Sequence, residues 1–184
     1  MKNLLLLCFI AVCSACHPVE TNVAPHYFSV AEFFKNECSR LKEEKMVLLK
    51  KVRYDAREET MQIQQPVWED ELRPFLDCDI NKPAYTGAYS IDSSATDGAH
   101  TIFYKAKEAR MPIRLVTINY VEGKLSSVYI EMGKSNAWFE LHQEMTYTPG
   151  DGYQINGRQK MAIGKETLFT IAGRFLSATN TSAK

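Results

Sequence analysis

The segment AWFELHQEMTY contains the side chains that most resemble a metal site in this chain. Successive side chains of a strand point to opposite faces, so Glu140, His142 and Glu144 would share one face. Histidine and carboxylates are common ligands of zinc and similar ions. Glu140 and Glu144 would lie ~13 Å apart, however, whereas metal–ligand bonds are only ~2 Å long. Glu140 and His142 are therefore the metal-ligand candidates, and we expect a polar strand face instead of a metal site.

A second acidic segment, Asp77–Asn81, matches the first three oxygen positions of an EF-hand calcium loop. The next positions do not fit the loop. Lys82 stands where a glycine is needed for the sharp turn, and Ala88 stands where a bidentate glutamate is needed. We therefore predict a turn that follows a short helix rather than a calcium site.

Motifs of nucleophilic catalysis and phosphate binding are absent from the sequence. There is no G-x-S-x-G segment, and the segment Gly164–Thr167 lacks the earlier glycine of a phosphate-binding loop. No serine or cysteine stands in a recognisable pattern around the four histidines, which are His17, His26, His100 and His142. The sequence gives no support for an enzyme, and it predicts no cofactor.

Tyrosines provide candidate ligand-binding residues. Tyr85 and Tyr89 would share one face of a predicted strand, and Tyr104 lies on a later strand. Exposed aromatic faces bind sugars or apolar ligands. Aromatic faces also form ordinary hydrophobic cores, and this is the alternative that we favour for the three tyrosines.

Two cysteines, Cys38 and Cys78, lie well inside the chain. In an oxidising compartment they would make an even pair, and a disulfide would close a loop of about forty residues. Closing such a loop would stabilise the folded state by roughly 4 kcal/mol in the chain-entropy model. Two buried free thiols are the alternative, since cysteine is among the most buried residue types.

The first sixteen residues have the order of a secretory signal. One positive charge, Lys2, precedes an apolar run from Leu4 to about Val12, and the small residues Ser14 and Ala15 follow. A membrane-spanning helix needs ~20 apolar residues, so this run is too short for a permanent anchor.

The end of this segment, Cys13-Ser14-Ala15-Cys16, resembles the lipobox of bacterial lipoproteins, in a loose form similar to those of Bacteroidota. Cys13 departs from the more common leucine. The resemblance implies that residues 1–15 are removed, that the Cys16 thiol receives a diacylglycerol and that its amine is acylated. Several acyl chains make a stable membrane anchor, whereas one does not. An ordinary cleaved signal with a chance cysteine is the alternative.

The predicted location is the cell envelope, at the outer membrane and facing the periplasm. Only one acid, Glu20, follows Cys16 closely, so an acidic run for surface export is absent. The chain has 22 basic and 22 acidic residues, and it lacks the basic patch that nucleic-acid binding requires. The membrane is therefore a predicted partner through the lipid, and nucleic acid is not.

Helical spacing is clearest near the start of the mature chain. Ser29-x-x-Glu32 has the form of a capping box, and apolar residues recur at helical spacing from Val30 to Leu41. A second, short helix is predicted to begin at Pro66, with Trp68, Leu72 and Leu76 inward, and to be divided by Pro74.

The remaining elements are predicted to be strands joined by short turns. A hairpin is expected from Met46 to Tyr54 and from Thr60 to Gln64. An Asn156-Gly157 pair, a strong hairpin signal, is expected to separate two further strands. The later strands are predicted at 84–91, 100–108, 112–121, 124–132, 136–147, 152–156, 158–163 and 166–176.

These elements predict an α+β domain at 29–176, with the two helices packed on a curved, mainly antiparallel sheet. Residues 16–28 would be a lipidated tether, and 177–184 a disordered tail. We expect a non-catalytic binding module for an apolar or glycan ligand or a protein partner. A dry concave pocket would favour that function. A filled core and an exposed apolar patch would favour a structural lipoprotein, and a histidine beside a carboxylate and a hydroxyl would favour an envelope-polymer hydrolase.

Overall fold

The computed structural model describes residues 27–177. The helices are α1 (Val30–Glu43), α2 (Trp68–Glu71) and α3 (Arg73–Leu76), and a 3₁₀ turn spans Pro83–Tyr85. The strands are β1 (Val47–Tyr54), β2 (Arg57–Ile63), β3 (Tyr89–Thr96), β4 (Ala99–Ala106), β5 (Ile113–Val121), β6 (Lys124–Ser135), β7 (Phe139–Thr148), β8 (Gly152–Met161) and β9 (Thr167–Leu176). The predicted signal peptide, Cys16 and most of the predicted tether and tail lie outside the described residues.

All nine strands belong to one antiparallel sheet, in the order β2-β1-β9-β8-β7-β6-β5-β4-β3. From β3 to β9, each strand pairs with the next along the chain, because short turns join antiparallel neighbours. The β1–β2 hairpin joins this run beside β9, with Leu48 opposite Phe175. β2 and β3 are therefore the two edges.

The predicted antiparallel sheet with packed helices is confirmed, but the fold is mostly β rather than an even α+β division. α1 has 14 residues, whereas α2 and α3 have 4 residues each. The second helical region is short because it is divided after Leu72. Pro74 lies in the first turn of α3, where its missing N–H leaves no helical hydrogen bond unmade.

The amphipathic helix α1 forms as predicted, but without the predicted capping box. Its buried face carries Val30, Phe34, Cys38 and Leu41 at helical spacing. The Ser29 side chain makes no capping hydrogen bond. Its backbone carbonyl accepts one from the N–H of Phe33 instead, at 3.0 Å.

The prediction of a strand at 84–91 is wrong in its first part. Pro83 begins a 3₁₀ turn that ends at Tyr85, and β3 begins only at Tyr89. Gly87 has a φ of 72°, a left-handed conformation that a regular strand does not use. The period-two pattern of Tyr85 and Tyr89 therefore does not reflect a shared strand face.

The prediction of a hairpin turn at Asn156-Gly157 is also wrong, because both residues continue β8. Gly157 lies opposite Phe169 of β9. A Cβ atom on Gly157 would lie 2.0 Å from the Phe169 ring, so the glycine leaves the space that this ring occupies. Gly173 similarly accommodates the ring of Tyr153, its partner across the strands. Aromatic rings packed over glycines in this way stabilise paired strands.

The two faces of the sheet differ in what covers them. The helices pack against the side that bears Tyr147, Tyr153 and Phe175, which we call the helix face. The opposite side, the open face, carries mainly polar side chains. On it, Asn119 accepts a hydrogen bond from Thr101 and donates one to Ser127, both at 2.9 Å.

Aromatic side chains fill the space between the helices and the helix face. Phe34 of α1 stacks on Phe75 of α3, with ring centroids 4.9 Å apart, and both contact Tyr147. Trp68 packs edge-on against Phe175 at 5.4 Å. All five residues are buried. The core is thus a packed aromatic cluster.

Two tyrosines on neighbouring strands hold the helices through hydrogen bonds. Tyr147 of β7 donates to the buried carboxylate of Glu37 on α1, and Arg40 binds the same carboxylate in bidentate fashion at 2.9 and 3.0 Å. Burial, and then the hydrogen bond to Glu37, raise the pKa of Tyr147 above its ordinary range. The phenol therefore stays a donor at neutral pH.

The second tyrosine, Tyr153, lies directly opposite Tyr147 in the β7–β8 pair. It donates to Glu71 of α2 at 2.9 Å, and Lys50 of β1 forms an ion pair with the same carboxylate at 2.7 Å. Each helical region is therefore fixed to the sheet by a tyrosine that donates to a helical carboxylate, and a base compensates each carboxylate, Arg40 from α1 itself and Lys50 from β1.

We expect Tyr147→Phe to lower the free energy of unfolding by about 2 kcal/mol, because it leaves the buried Glu37 carboxylate without one of its donors. Urea unfolding followed by circular dichroism would measure this loss. Tyr54→Phe is the matched control, since Tyr54 is 51% exposed and should change stability by less than about 0.5 kcal/mol. Equal stabilities of the Tyr147→Phe protein and the wild type would contradict this account.

Candidate functional site

The predicted metal-ligand candidates lie on the open face of β7. The Nε2 atom of His142 is 3.5 Å from the Oε1 atom of Glu144, whereas Glu140 lies opposite Lys160 on β8. Arg158 lies opposite His142, so bases flank these side chains. Within residues 27–177, no group of three or more histidine, cysteine or acidic side chains could hold a metal ion. The strand geometry does not bring Glu140 and His142 together with a third ligand.

Cys38 and Cys78 are both buried and carry free thiols in this structure, and a disulfide between them stays a prediction. The Cys78 thiol donates a hydrogen bond to the carbonyl of Pro74 at 3.1 Å. Burial, followed by the charges of Glu69 and Glu37, raises the pKa of Cys38 to about 11. Burial raises the pKa of Cys78 to about 12.

Of the three candidate tyrosines, Tyr89 and Tyr104 belong to the core. Both pack edge-on against Tyr27, with ring centroids 5.6 and 5.8 Å away. The Tyr89 hydroxyl donates to the carbonyl of Ile113 at 3.0 Å, and burial raises its pKa. Neither ring is free to contact a ligand.

Tyr85, the third candidate, is half-buried and lines a cleft between α3 and the end of the sheet. We call this the α3 cleft. Its volume is about 440 Å³, within the range of small-molecule sites. Apolar walls come from the proline of α3 and from the sheet side, namely from Pro74, Pro112, Ile113 and Met132.

The polar side chains of the α3 cleft fall into two groups. In the first group, the partners lie within the chain: Arg73 pairs with Asp70 at 2.8 Å, and Lys82 donates to the backbone carbonyl of Asp77 at 3.1 Å. Lys82 also lies 5.9 Å from the centre of the Tyr85 ring, in a cation–π contact.

Lys134 and Gln143 form the second group. Among the described residues, neither side chain has a hydrogen bond or an ion pair. A cation, an amide and an aromatic ring are therefore available together in one cleft. This arrangement can bind a ligand with hydroxyl groups and a negative charge.

The sequence does not reveal that these residues meet. Tyr85, Lys134 and Gln143 lie on a turn and on two strands, and only the pairing of β6 with β7 places Gln143 opposite Met132. The proline at position 83 was the one local signal for the turn that positions Tyr85.

No catalytic arrangement forms around the described histidines. His100 stacks on Tyr120 in a shallow pocket that Glu122 also lines. No hydrogen bond or ion pair joins His100 to Glu122 or Tyr120 in the described part of the chain. His142 contacts the carboxylate of Glu144 without a hydroxyl partner. The geometry expected for a hydrolase is thus not found within residues 27–177.

Comparisons with known proteins add no assignment to this geometry. No family model, curated protein or solved structure matches the chain. Among the described residues, no helix has the length and apolar character needed to cross a bilayer.

The raised thiol pKa values predict that the folded protein resists thiol reagents. A thiol with a pKa of about 11 is ionised in about one molecule in a thousand at pH 8, and only the thiolate reacts. We expect iodoacetamide at pH 8 to leave Cys38 and Cys78 unmodified in the folded protein and to modify both after unfolding in urea without reductant. Peptide mass spectrometry would locate the modified residues. Modification only after addition of a reductant would show a disulfide instead.

Proposed function

We propose that this chain is a lipid-anchored protein of the cell envelope whose domain binds a ligand and catalyses no reaction. The observation that carries the binding function is the α3 cleft, in which the side chains of Lys134 and Gln143 make no hydrogen bond or ion pair within residues 27–177 and lie beside the half-buried ring of Tyr85. The anchor is supported by the lipobox-like segment that ends at Cys16. The proposed site of the anchor is the periplasmic leaflet of the outer membrane.

The chemistry of the cleft favours an acidic glycan as the ligand. A sugar ring packs its C–H groups on an aromatic side chain such as Tyr85, while its hydroxyls bond to amides such as Gln143. The Lys134 ammonium suits a carboxylate of the ligand, because hydrogen bonds between ionised groups are the stronger ones. An apolar ligand within the core is not supported, since aromatic side chains occupy that space.

The shape of the sheet is part of this proposal. The β5–β6 pair shifts register between Ile113 and Leu115 and again between Asn119 and Tyr120. Such irregularities bend strands, so a curved sheet that cradles α1 and α3 is consistent with them.

A structural lipoprotein without a small ligand is the second candidate. It is favoured by the filled core and by apolar side chains that remain exposed at the β6–β7 and β8–β9 turns, namely Trp138, Met161 and Ile163. The two candidates differ in whether Lys134 is needed for binding.

The anchor predicts a defined mass for the membrane-extracted protein. We expect intact mass spectrometry to give the mass of residues 16–184 plus a diacylglycerol and an amide-linked acyl chain. Cys16→Ala should abolish both additions, because the thiol that accepts the diacylglycerol is gone. A mature protein that begins at another residue and carries no lipid would contradict the anchor.

The cleft predicts that binding of an acidic glycan depends on Lys134. We expect isothermal titration with the disaccharide of N-acetylglucosamine and N-acetylmuramic acid to show binding that Lys134→Ala weakens about tenfold. Tenfold corresponds to about 1.4 kcal/mol, typical of one hydrogen bond to a charged group.

Two controls make this test specific. Lys160→Ala removes a lysine from the open face and should leave the affinity unchanged. The neutral disaccharide of N-acetylglucosamine should bind more weakly than the acidic one, because it lacks the carboxylate. No binding by the wild type, or equal binding by the Lys134→Ala protein, would favour the structural candidate.

A further inference from the structure

The turns that end β6 and β8 carry apolar side chains that the described part of the chain leaves largely or partly exposed. Ile163 is 91% exposed, Trp138 is 72% exposed and Met161 is 46% exposed. The two turns are adjacent, since the N–H of Ala162 donates to the carbonyl of Trp138 at 2.7 Å. Phe139 lies opposite Met161 across the same pair of strands. We call Trp138, Phe139, Met161 and Ile163 the hairpin-tip patch.

The opposite end of the strands has a different character. The turns there are built around glycines and acids, with Asp97, Glu122 and Asp151 at their tips. Among the described residues of those turns, Val121 is the one large apolar side chain that is exposed. The exposed aromatic and long aliphatic side chains at turns are thus concentrated at one end of the sheet.

Basic residues surround the hairpin-tip patch. Segments 134–140 and 158–168 contain four bases, which are Lys134, Arg158, Lys160 and Lys165, against two acids, Glu140 opposite Lys160 and Glu166 at 3.9 Å from Arg158, which leaves an excess of two positive charges. The whole chain has equal numbers of bases and acids, so this positive excess is local. It complements the negative charge of anionic phospholipid headgroups.

The hairpin-tip patch is too small for a stable contact with another protein. A standard interface buries roughly 800 Å² on each partner, whereas only four partly exposed side chains are present here. Membrane contact does not need so large a buried area when a lipid anchor already holds the protein at the bilayer surface. Each additional apolar side chain then adds to the membrane affinity.

We propose that the hairpin-tip patch inserts into the interfacial layer of the bilayer that holds the acylated Cys16. This inference rests on the lipid anchor proposed above. Ten residues lie between Cys16 and Tyr27, and the eleven Cα–Cα steps from one to the other span at most roughly 40 Å when the segment is extended. A ten-residue strand spans about 33 Å, so the tether is long enough for the patch to reach the bilayer. Tryptophan prefers the interfacial layer, and lysines beside it bind phosphates.

The two tryptophans of the chain allow a direct test. The acylated full-length mature protein would be reconstituted into vesicles of phosphatidylglycerol and phosphatidylcholine with brominated acyl chains, which quench tryptophan on contact. We expect the wild-type fluorescence to be quenched relative to unbrominated vesicles. Trp138→Phe should lose this quenching, because the remaining Trp68 is only 2% exposed.

Two charge variants test the insertion itself while both tryptophans are kept. Ile163→Glu places a carboxylate in the hairpin-tip patch and should reduce the quenching. Val121→Glu, at an exposed apolar residue of the opposite end, should leave the quenching unchanged.

Flotation of the vesicles separates the anchor from the inserted patch. Protein that does not float with the vesicles refutes the lipid anchor, and the inference falls with it. Protein that floats without quenching of Trp138 refutes the insertion alone. A change in Trp138 fluorescence that depends on protein density rather than on bromine would assign the patch to contacts between copies and overturn the proposal.

Discussion

Packing of the helices on the sheet depends on the hydrogen bond between Tyr147 and the buried carboxylate of Glu37. A buried carboxylate is tolerated only when charged and polar donors compensate its lost hydration, and Arg40 and Tyr147 do this together. Tyr153 likewise donates a hydrogen bond to Glu71, and it lies opposite Tyr147 in the β7–β8 pair. A slip of one residue in this strand pair would turn one of the two phenols to the open face, so the polar contacts also select the register.

The same constraint excludes a ligand from the space between the helices and the sheet. With α1 and α3 held against the sheet, the rings of Phe34, Phe75 and Tyr147 occupy the space that a wider separation would have left as an internal cavity. Close packing at interior density leaves no room for a ligand there. The proposed binding site therefore lies at the margin of the helical layer, where α3 ends and the strands continue. The α3 cleft forms at this margin, because β6 extends to Ser135, beyond the part of the sheet that the helices cover.

Local patterns were sufficient to predict α1, the strands and the antiparallel pairing, because periodicity and turn residues act over a few neighbours. They failed where a distant residue decides the outcome. Asn156-Gly157 favours a turn by itself, but the ring of Phe169, from the next strand, occupies the space above the glycine and keeps β8 continuous. The role of Glu37 has no local signal, because Tyr147, which donates to its carboxylate, lies 110 positions later. The α3 cleft could not be predicted for the same reason, since Lys134 and Gln143 acquire a common neighbour only through strand pairing.

The two proposed surfaces are linked by the β6–β7 hairpin. Its strands carry Lys134 and Gln143 into the α3 cleft, and its turn carries Trp138 into the hairpin-tip patch. Lys134 lies near the end of β6, and Trp138 lies four positions later in the turn that follows, so the two are at most about 14 Å apart. The proposed insertion of the turn would therefore place the cleft close to the headgroups. A ligand that is itself attached to the membrane would meet the cleft at this height without leaving the surface.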